Sequence, residues 1–450
     1  MGMKKVLVKI GKIIGCFFAC IFGFLAVLCL ITLAWGGVQR TRGSVKNALP
    51  ETPASFVPTV RLIAFTDTHN ENDNVADAID TAYRLFDDDP VYAGVDGFFG
   101  LGDFSSIGTE PDYANYADTL HEHVREETIL INIHGNHEFK NVNEYHDLFI
   151  KYFGHEPNTV TQINGFSCIA FSGERGLTEW TFTPSSLKWL SDAIKEAEEN
   201  AQGKAIFVFN HPHPWGTVYG STVWGDPELN VVLNGHTAVV DFSGHSHFPL
   251  NDPRSINQAS YTAVGCGAMA RFELDNNGIV GQHPDGYEDA AQMVVIEADN
   301  DGSVRIRGYD LLSDTYFCEY YIDNVNDRSE FDYTYKNMRA HDAAPKFAED
   351  AAATAYKNEA GEWVISFDEA KPAEGYIVHE YKVTIRDENG KKIFSKNFID
   401  DYYVIDDDDT ADFRIGTDTL ESGKSYTLTV RAESAYHFYS DTVSLPFTAQ

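Results

Sequence analysis

The sequence predicts a mixed α/β domain followed by an all-β domain, with an apolar helix in front of both. Between residues 58 and 336, short strand-like runs alternate with segments of helical spacing. From residue 355 onward only strand-like runs occur, and turns such as Glu388-Asn-Gly390 separate them. Near the start, the run Ile13–Trp35 carries no charged residue. Together these observations predict three successive parts of the chain.

The apolar run Ile13–Trp35 would be roughly 34 Å long as a helix at about 1.5 Å per residue, enough to cross a bilayer. Basic residues flank it with a slight excess on the N-terminal side, which favours a cytoplasmic tail at residues 1–12. We therefore expect a single-pass membrane protein with its body outside the cytoplasm. The alternative is a signal peptide cleaved after the small residues Thr32 and Ala34, which would give a secreted body.

The rest of the chain is strongly acidic. All 68 Asp and Glu residues lie from Glu51 onward, against 34 Lys and Arg in the entire chain. Such a body argues against a nucleic-acid groove or an anionic membrane surface as a partner. A phosphate substrate would need local positive charge, which bound cations would supply.

The α/β domain is expected over residues 58–336, after a polar, stalk-like linker at residues 36–57. Its predicted strands are Val60–Thr66, Gly97–Leu101, Ile129–Ile133, Ser167–Phe171, Ala205–Phe209, Ala238–Phe242, Met293–Ile296 and Val304–Tyr309. Its predicted helices are Ala76–Phe86, Glu144–Phe153 and Pro184–Asn200. Ser185 and Ser186 are the candidate caps of the last helix.

The β domain is expected over residues 355–450, after a second linker at residues 337–354. Its predicted strands are Trp363–Phe367, Tyr381–Arg386, Tyr426–Ala432 and Val443–Phe447. Leu420–Ala432 resembles the tyrosine-corner strand of fibronectin type III-like domains, and Trp363 fits their buried tryptophan. The resemblance implies an Ig-like sandwich that acts as a spacer or contacts a surface polymer or protein. Asp406–Asp409 is expected to be a solvated acidic loop rather than a weak calcium site.

Five short motifs in the α/β domain carry the residue types of a metal centre. They are Asp67-Thr-His69, Gly102-Asp103, Gly135-Asn136-His137-Glu138, His211 and Gly244-His245-Ser-His247, and each follows an apolar strand. Open α/β sheets gather their ligands at such strand ends. Carboxylates, an amide oxygen and imidazoles suit manganese, iron or zinc, and the absence of thiolates disfavours a structural zinc. The pattern therefore predicts a pair of divalent metal ions.

In this order, the motifs resemble those of the calcineurin-like metallophosphoesterases over about residues 58–320. The resemblance implies a four-layer α/β/β/α sandwich. It also implies that Asp67, His69 and His247 hold one metal, that Asn136, His211 and His245 hold the other, and that Asp103 bridges them. His137 would face the scissile phosphate and help protonate the leaving oxygen. The expected activity is hydrolysis of small phosphate mono- or diesters by attack of a metal-activated hydroxide.

One position departs from known subgroups of the family. Ser106 stands where phosphoprotein phosphatases have an Asp that orients the catalytic histidine, and where purple acid phosphatases have a ligating Tyr. The partner of His137 is therefore open, and the pattern is closer to the broad bacterial phosphodiesterase and phosphatase branch.

Other residues near the motifs are weaker candidates for substrate contact. His134 and His213 could touch the phosphate, although a supporting role for neighbouring ligands is favoured. Trp215, Tyr219 and Trp224 could form an aromatic wall for a base or sugar, or could simply pack. A different class of function is a cell-surface binding protein that uses the fold as a non-catalytic scaffold. We disfavour it because every ligand position of the family pattern carries a ligand-type residue.

Overall fold

The computed structural model describes residues 43–141, 143–176, 179–276, 279–406 and 409–450. The predicted cytoplasmic tail, the predicted membrane helix and residues 36–42 of the first linker lie outside the described residues. Within the described ranges, no helix is both long enough and apolar enough to cross a bilayer.

The elements of the first domain follow the predicted alternation. Its strands are β1 (Val60–Phe65), β2 (Gly97–Gly100), β3 (Ile129–Asn132), β4 (Thr159–Ile163), β5 (Phe166–Ala170), β6 (Glu174–Arg175), β7 (Trp180–Thr181), β8 (Ile206–Asn210), β9 (His213–Pro214), β10 (Gly225–Asp226), β11 (Val239–Ser243), β12 (Ile256–Gln258), β13 (Thr262–Gly265), β14 (Leu274–Asn276), β15 (Ile279–Gln282), β16 (Gln292–Ala298), β17 (Val304–Asp310) and β18 (Thr315–Ile322). Its helices are α1 (Asn72–Phe86), α2 (Glu110–His123), α3 (Tyr145–Phe153), α4 (Pro184–Asn200), α5 (Ser221–Trp224), α6 (Pro227–Leu233) and α7 (Tyr335–His341).

Two six-stranded sheets form the centre of this domain. One has the order β18-β17-β16-β1-β2-β3, in which β1, β2 and β3 are parallel. The other has the order β12-β13-β11-β8-β5-β4, in which β5, β8, β11 and β13 are parallel. The parallel strands of each sheet therefore end at a common edge.

The alternating side chains of β1 show how the layers are built. Leu62 and Ala64 belong to the apolar core between the sheets, where Phe99 stacks on Phe209 with 3.9 Å between ring centroids. Ile63, on the opposite face of β1, packs with the apolar faces of α1 and α2. Helix α4 contacts β5 and β8 of the second sheet. This is the four-layer α/β/β/α arrangement that the family resemblance implies.

Several local features differ from the sequence-based expectations. Helix α4 is capped by Thr183, whose hydroxyl accepts a hydrogen bond from the Ser186 amide at 3.2 Å, rather than by Ser185 or Ser186. Pro184 occupies the first turn without an amide to satisfy, so the cap precedes it. Helix α2 was not predicted, and α7 occupies the start of the predicted linker at residues 337–354.

The predicted stalk packs on the first domain from Gly43 onward. The Lys46 amide donates to Asn337 Oδ1 at 2.8 Å, and its ammonium group lies 3.0 Å from the Asp332 carboxylate. Phe56 is buried against the ring of Tyr321, with 5.6 Å between centroids. This part of the segment therefore follows the surface of the domain instead of standing free.

The second domain is an all-β sandwich, as predicted. Its strands are β19 (Ala353–Lys357), β20 (Trp363–Asp368), β21 (Val378–Asp387), β22 (Lys392–Ile399), β23 (Thr410–Gly416), β24 (Ser425–Ser434) and β25 (Val443–Thr448). They form a sheet of order β19-β20-β23 and a sheet of order β22-β21-β24-β25. Trp363 lies in the core between them, and the Tyr426 hydroxyl accepts a hydrogen bond from the Glu421 amide at 2.9 Å. This contact is the tyrosine corner that the sequence predicts.

The two domains share a packed interface. Tyr376 and Tyr436 of the second domain join the apolar core of the first. A second apolar cluster contains Phe248, Phe272 and Leu274 from the first domain and Ile399 and Tyr403 from the second.

A polar network lies beside this interface. The Arg254 guanidinium stacks on the ring of Tyr219 at 3.5 Å and approaches His379 Nδ1 at 3.2 Å. On its other side, the His379 ring contacts the Asp275 carboxylate at 2.7 Å. His379 thus bridges two groups of the first domain, which fixes the second domain against it.

Candidate metal centre and active site

The predicted ligands gather at one edge of the two facing sheets. They follow the C-terminal ends of five parallel strands: Asp67 and His69 after β1, Asp103 after β2, Asn136 and His137 after β3, His211 after β8, and His245 and His247 after β11. Because parallel strands of one sheet end on the same side, the loops that carry these residues converge there.

The first cluster consists of Asp67, His69 and His247. One potential ligand atom from each of these buried residues lies within 4.8 Å of the others. His247 Nε2 is 3.1 Å from Asp67 Oδ1 and 3.1 Å from His69 Nε2. The three side chains therefore aim at one small volume.

The second cluster consists of Asp103, His211 and His245, again with ligand atoms within 4.8 Å of one another. His211 Nε2 lies 3.4 Å from Asp103 Oδ2 and 3.2 Å from the side-chain oxygen of Asn136. Asp103 also groups with His69 and His137, and its Oδ2 is 4.0 Å from His69 Nε2. Asp103 therefore reaches both clusters.

The donor atoms of these clusters fit a pair of divalent cations. His245 Nε2 is buried and has no hydrogen-bond partner among the described residues. A buried polar atom without a partner costs free energy, which a bound cation would offset. Two carboxylates, an amide oxygen and four imidazoles form the mixed oxygen and nitrogen set that manganese, iron and zinc accept.

Electrostatics favour the protonation states that ligation requires at His69, His245 and Asp103, but not at His211. Burial alone would lower the pKa of His211, but the charge and hydrogen bond of Asp103 raise it to about 10, so this imidazole would release a proton on binding a metal ion. Burial lowers the pKa of His69 to about 2 and that of His245 to about 3, so both imidazoles are neutral. Burial alone would raise the pKa of Asp103, but the neighbouring His211 and His137 hold it well below its usual range. Neutral imidazole and ionised carboxylate are the forms that bind metal ions.

The backbone at the ligands is held in an unusual conformation. Asp67, His69, Asp103, His245 and His247 all have positive φ, between 47° and 70°. This left-handed region is uncommon for residues other than glycine, and such conformations cluster where the surrounding structure enforces them for function. The five residues make up half of the described non-glycine positions with positive φ.

Close contacts between the loops fix this geometry. A Cβ atom on Gly244 would lie 2.6 Å from Asp67 Oδ2 and still closer to Thr66, so only glycine fits there. The buried carboxylate of Glu138 accepts hydrogen bonds from the amides of Asp103, Ser105 and Gly135 at 2.9, 3.0 and 2.6 Å. Glu138 therefore ties the loop after β2 to the loop after β3, a role that the sequence analysis did not assign.

A comparison with protein families shows which family the segment with these residues matches. Residues 60–249 match the family model described as calcineurin-like phosphoesterase, a segment that contains all of the predicted ligands. This segment therefore matches the calcineurin-like phosphoesterase family. The resemblance that the motifs indicate is thereby confirmed.

Solved structures also align with this chain, at low sequence identity. A purple acid phosphatase from yellow lupin seeds aligns at 12% identity with a TM-score of 0.41, over 60% of this chain and 55% of its own. This chain thus spans about half the length of that phosphatase. A 5'-nucleotidase precursor from Thermus thermophilus aligns at 13% identity and a TM-score of 0.31, over 73% of this chain and 76% of its own.

For the second domain, an Fn3-like protein from Clostridium thermocellum aligns at 15% identity and a TM-score of 0.15, over 24% of this chain and 95% of its own. No curated protein matches the sequence of the chain.

His137 lies at the open side of the phosphoesterase site. Its Nδ1 is 2.7 Å from the backbone carbonyl of Ser106, so Nδ1–H donates to that oxygen. Its Nε2 lies 3.8 Å from Asp103 Oδ2. The partner that the sequence left open is therefore a backbone carbonyl, while the Ser106 hydroxyl donates to the His69 carbonyl at 2.8 Å.

Two cations at the phosphoesterase site were missed by the sequence analysis. Lys140 Nζ lies 2.6 Å from His137 Nε2, and Arg271 Nη2 lies 3.5 Å from His69 Nε2. Lys140 follows His137 by one helical turn, a spacing that could have identified it. Arg271 lies in the loop before β14, where no motif marks it. Both bring positive charge to this edge of an otherwise acidic protein.

The two flanking histidines lie beside the loops of the site. His213 uses both ring nitrogens, with contacts to Ser243 Oγ at 2.8 Å and to Ser246 Oγ at 2.6 Å. Its neighbour His134 is buried against the ring of Phe149 and lies 3.2 Å from Ser172 Oγ. Both side chains therefore contact neighbouring loops, and their supporting role stays a prediction.

The aromatic wall stays a prediction, and its three residues lie in different surroundings. Tyr219 packs on Phe248, with 4.2 Å between ring centroids, and therefore belongs to the interdomain core. Trp224 lies 6.4 Å from the ring of His245, while the indole of Trp215 donates to the Thr222 carbonyl. Trp180, which the sequence analysis did not select, is closer, at 4.8 Å from His245.

Proposed function

We propose that this chain hydrolyses small phosphate mono- or diesters with the help of two divalent metal ions. The observation that carries the proposal is the pair of buried ligand clusters that share Asp103. Their unpartnered donor atoms suit cations, and the family match supports phosphoester chemistry.

Different residues of the chain would hold the two cations. Asp67, His69 and His247 would hold one ion, and Asn136, His211 and His245 the other, with Asp103 reaching both. The ions would be manganese, iron or zinc. When bound, such a pair lowers the pKa of a coordinated water and neutralises charge on the phosphoryl oxygens.

His137 is placed to handle the proton of the leaving group. The Ser106 carbonyl orients the ring through Nδ1, which leaves Nε2 facing the open side of the site. Lys140 lies beside Nε2 and can supply a proton to it. A positioned group of this kind typically contributes about 10²–10⁴-fold to the rate.

Arg271 is suited to hold the phosphate itself. Its guanidinium group borders the first cluster, and a planar fork of donors matches two phosphate oxygens. Trp180 and Trp224 border the second cluster beside His245, where a leaving group would contact them.

The proposed setting is the cell membrane, with the chain crossing it once near the N-terminus and the phosphoesterase domain outside the cytoplasm. The apolar run Ile13–Trp35 supports this proposal, and secretion after signal cleavage is the alternative. Alkaline carbonate extraction of membranes and protease treatment of intact cells would test it. Release of the chain by carbonate would contradict the anchor.

The activity is tested with the full-length chain and two substrates, p-nitrophenyl phosphate and bis(p-nitrophenyl) phosphate. We expect turnover with manganese or zinc, loss of turnover in EDTA, and recovery when metal is returned. Asp103→Asn should abolish turnover because it removes the carboxylate shared by the two clusters. Asp118→Asn, on the exposed face of α2, is the matched control and should retain full activity.

Metal analysis of the same protein separates the enzyme from the scaffold hypothesis. The proposal requires about two equivalents per chain after reconstitution. Fewer than one equivalent, together with no turnover of either substrate, would favour a non-catalytic binding protein.

A further inference from the structure

Three carboxylates of the second domain converge away from the phosphoesterase site. Glu369 follows β20, while Asp400 and Asp401 follow β22. One oxygen from each lies within 4.8 Å of the others. The two loops that carry them meet at one end of the β-sandwich.

Asp400 is the decisive member of this group. It is only 5% exposed, and its Oδ1 is buried without a hydrogen-bond partner among the described residues. Burial raises the pKa of its carboxyl well above the usual range, and the charges of Glu369 and Asp401 raise it further. The backbone of Asp401 hydrogen-bonds to this carboxyl, but Oδ1 stays without a partner. A buried carboxylate oxygen beside two other acids is costly unless the group takes up a proton or a cation joins it.

We propose that Glu369, Asp400 and Asp401 bind a calcium ion. All three donors are oxygens, and they come from irregular loops. Calcium accepts six to eight oxygen ligands in flexible geometry, whereas magnesium demands a near-ideal octahedron. The site has no imidazole, which separates it chemically from the phosphoesterase centre and its preference for manganese, iron or zinc.

A calcium ion at this site would link the ends of three strands. The Glu369 amide donates to the Asp409 carbonyl at 2.9 Å, and Lys371 forms an ion pair with the Asp409 carboxylate. Asp409 immediately precedes β23, so calcium at Glu369 and Asp400 would link the ends of β20 and β22 to the start of β23. Calcium binding should therefore stabilise the sandwich against unfolding.

The test is a calorimetric titration of calcium chloride into the full-length chain whose phosphoesterase site has first been loaded with zinc. We expect binding of one calcium per chain and a melting temperature that rises with calcium. Asp400→Asn should fold, since the amide removes the repulsion between carboxylates. The Kd for calcium should rise at least tenfold in Asp400→Asn and in Glu369→Gln.

The matched control is Asp418→Asn, an exposed aspartate beyond the opposite end of β23, which should titrate as the wild type does. Turnover of p-nitrophenyl phosphate should be unchanged in all three variants. The proposal would be overturned if no binding occurred up to about 10 mM calcium. This concentration is about tenfold above the Kd of the weakest extracellular calcium-binding modules. Wild-type titration by Asp400→Asn would also overturn the proposal. If that variant does not fold, the exposed Asp401→Asn decides in the same way.

Discussion

The ligand residues carry conformational strain as well as chemistry. Five of them have a left-handed backbone, although an Asp or His in that region lacks the freedom of glycine. Hydrogen bonds hold them there: the His69 amide donates to the Asp103 carbonyl at 2.9 Å, and the His245 amide donates to Asp67 Oδ2 at 2.8 Å. His69 and His245 are thus each positioned by another residue of the clusters, whereas the Asp103 amide donates to Glu138.

Substitution of His137 should separate catalysis from metal binding. In His137→Ala, we expect kcat to fall by about 10²–10⁴-fold, because the proton donor to the leaving oxygen is lost. The metal content should remain that of the wild type, since the clusters are complete without this ring. Steady-state kinetics and metal analysis measure the two quantities. His121→Ala, on the exposed face of α2, is the control, and equal kcat in both variants would remove His137 from the mechanism.

Substitution of Arg271 should act mainly on substrate binding. Loss of charge-assisted hydrogen bonds worth about 1.5–3 kcal/mol predicts a KM for p-nitrophenyl phosphate that rises roughly 10- to 100-fold in Arg271→Ala. Arg271→Lys should restore part of the loss, because the charge returns without the planar fork. An unchanged KM in Arg271→Ala would refute phosphate binding, and Arg386→Ala in the second domain serves as the control.

At the scale of the elements, the site depends on loops that touch at the ends of strands. Gly102, Gly135 and Gly244 stand where loops approach too closely for a side chain. Their positions inside the motifs therefore reflect steric requirements of the backbone, in addition to the ligands that they precede.

Gly244→Ala should damage the first cluster without unfolding the domain. The added methyl group would collide with Thr66 and Asp67, and would push the Asp67 carboxylate away from His247. We expect loss of at least one metal equivalent and of most turnover. Gly265→Ala, whose Cβ would meet no atom closer than 3.4 Å, should retain both. Full metal content in Gly244→Ala would contradict this account.

Sequence patterns predicted the elements where periodicity and turns agreed. Helix α4 begins and ends as predicted at Pro184 and Asn200, because Pro marks the first turn and the apolar stripe continues to the end. Helix α2 was missed although Tyr113, Tyr116 and Leu120 form a helical stripe. Its capping box at Thr109 was the signal that could have identified it.

The candidate site, like the helices and strands, could be predicted only where the sequence pattern marks a position. The convergence of the predicted ligands could be foreseen because each of them stands directly after an apolar strand, where chain order fixes position. Arg271 could not be foreseen, because a loop of irregular conformation brings it to the site from a distant part of the chain. The hydrogen bond between His137 and Ser106 could not be predicted either, because every residue has a backbone carbonyl and the residue type does not show which one accepts.

At the scale of the whole molecule, the two domains are joined through ionisable groups. Burial alone would raise the pKa of Asp275, but the hydrogen bond and charge of His379 lower it to about 2. The folded-state pKa lies below the unfolded value, so this contact stabilises the protein above about pH 4 and is lost as the pH falls toward 2.

Asp275→Asn should therefore lower the free energy of unfolding by about 2 kcal/mol at pH 5. The difference between variant and wild type should shrink as the pH falls from 4 toward 2, because wild-type Asp275 then takes up its proton. Urea unfolding at several pH values measures both. Asp118→Asn should show no such dependence, and a constant difference for Asp275→Asn at all pH values would contradict the assignment.

The mixed apolar cluster at the domain interface has a consequence for any shortened form of the protein. Phe248 and Phe272 border the segment that carries His247, and Ile399 and Tyr403 cover them. A chain that ends before residue 355 would expose this apolar surface to solvent. We expect such a chain to aggregate, which light scattering would measure. The β-sandwich therefore covers apolar surface of the first domain in addition to forming a core of its own.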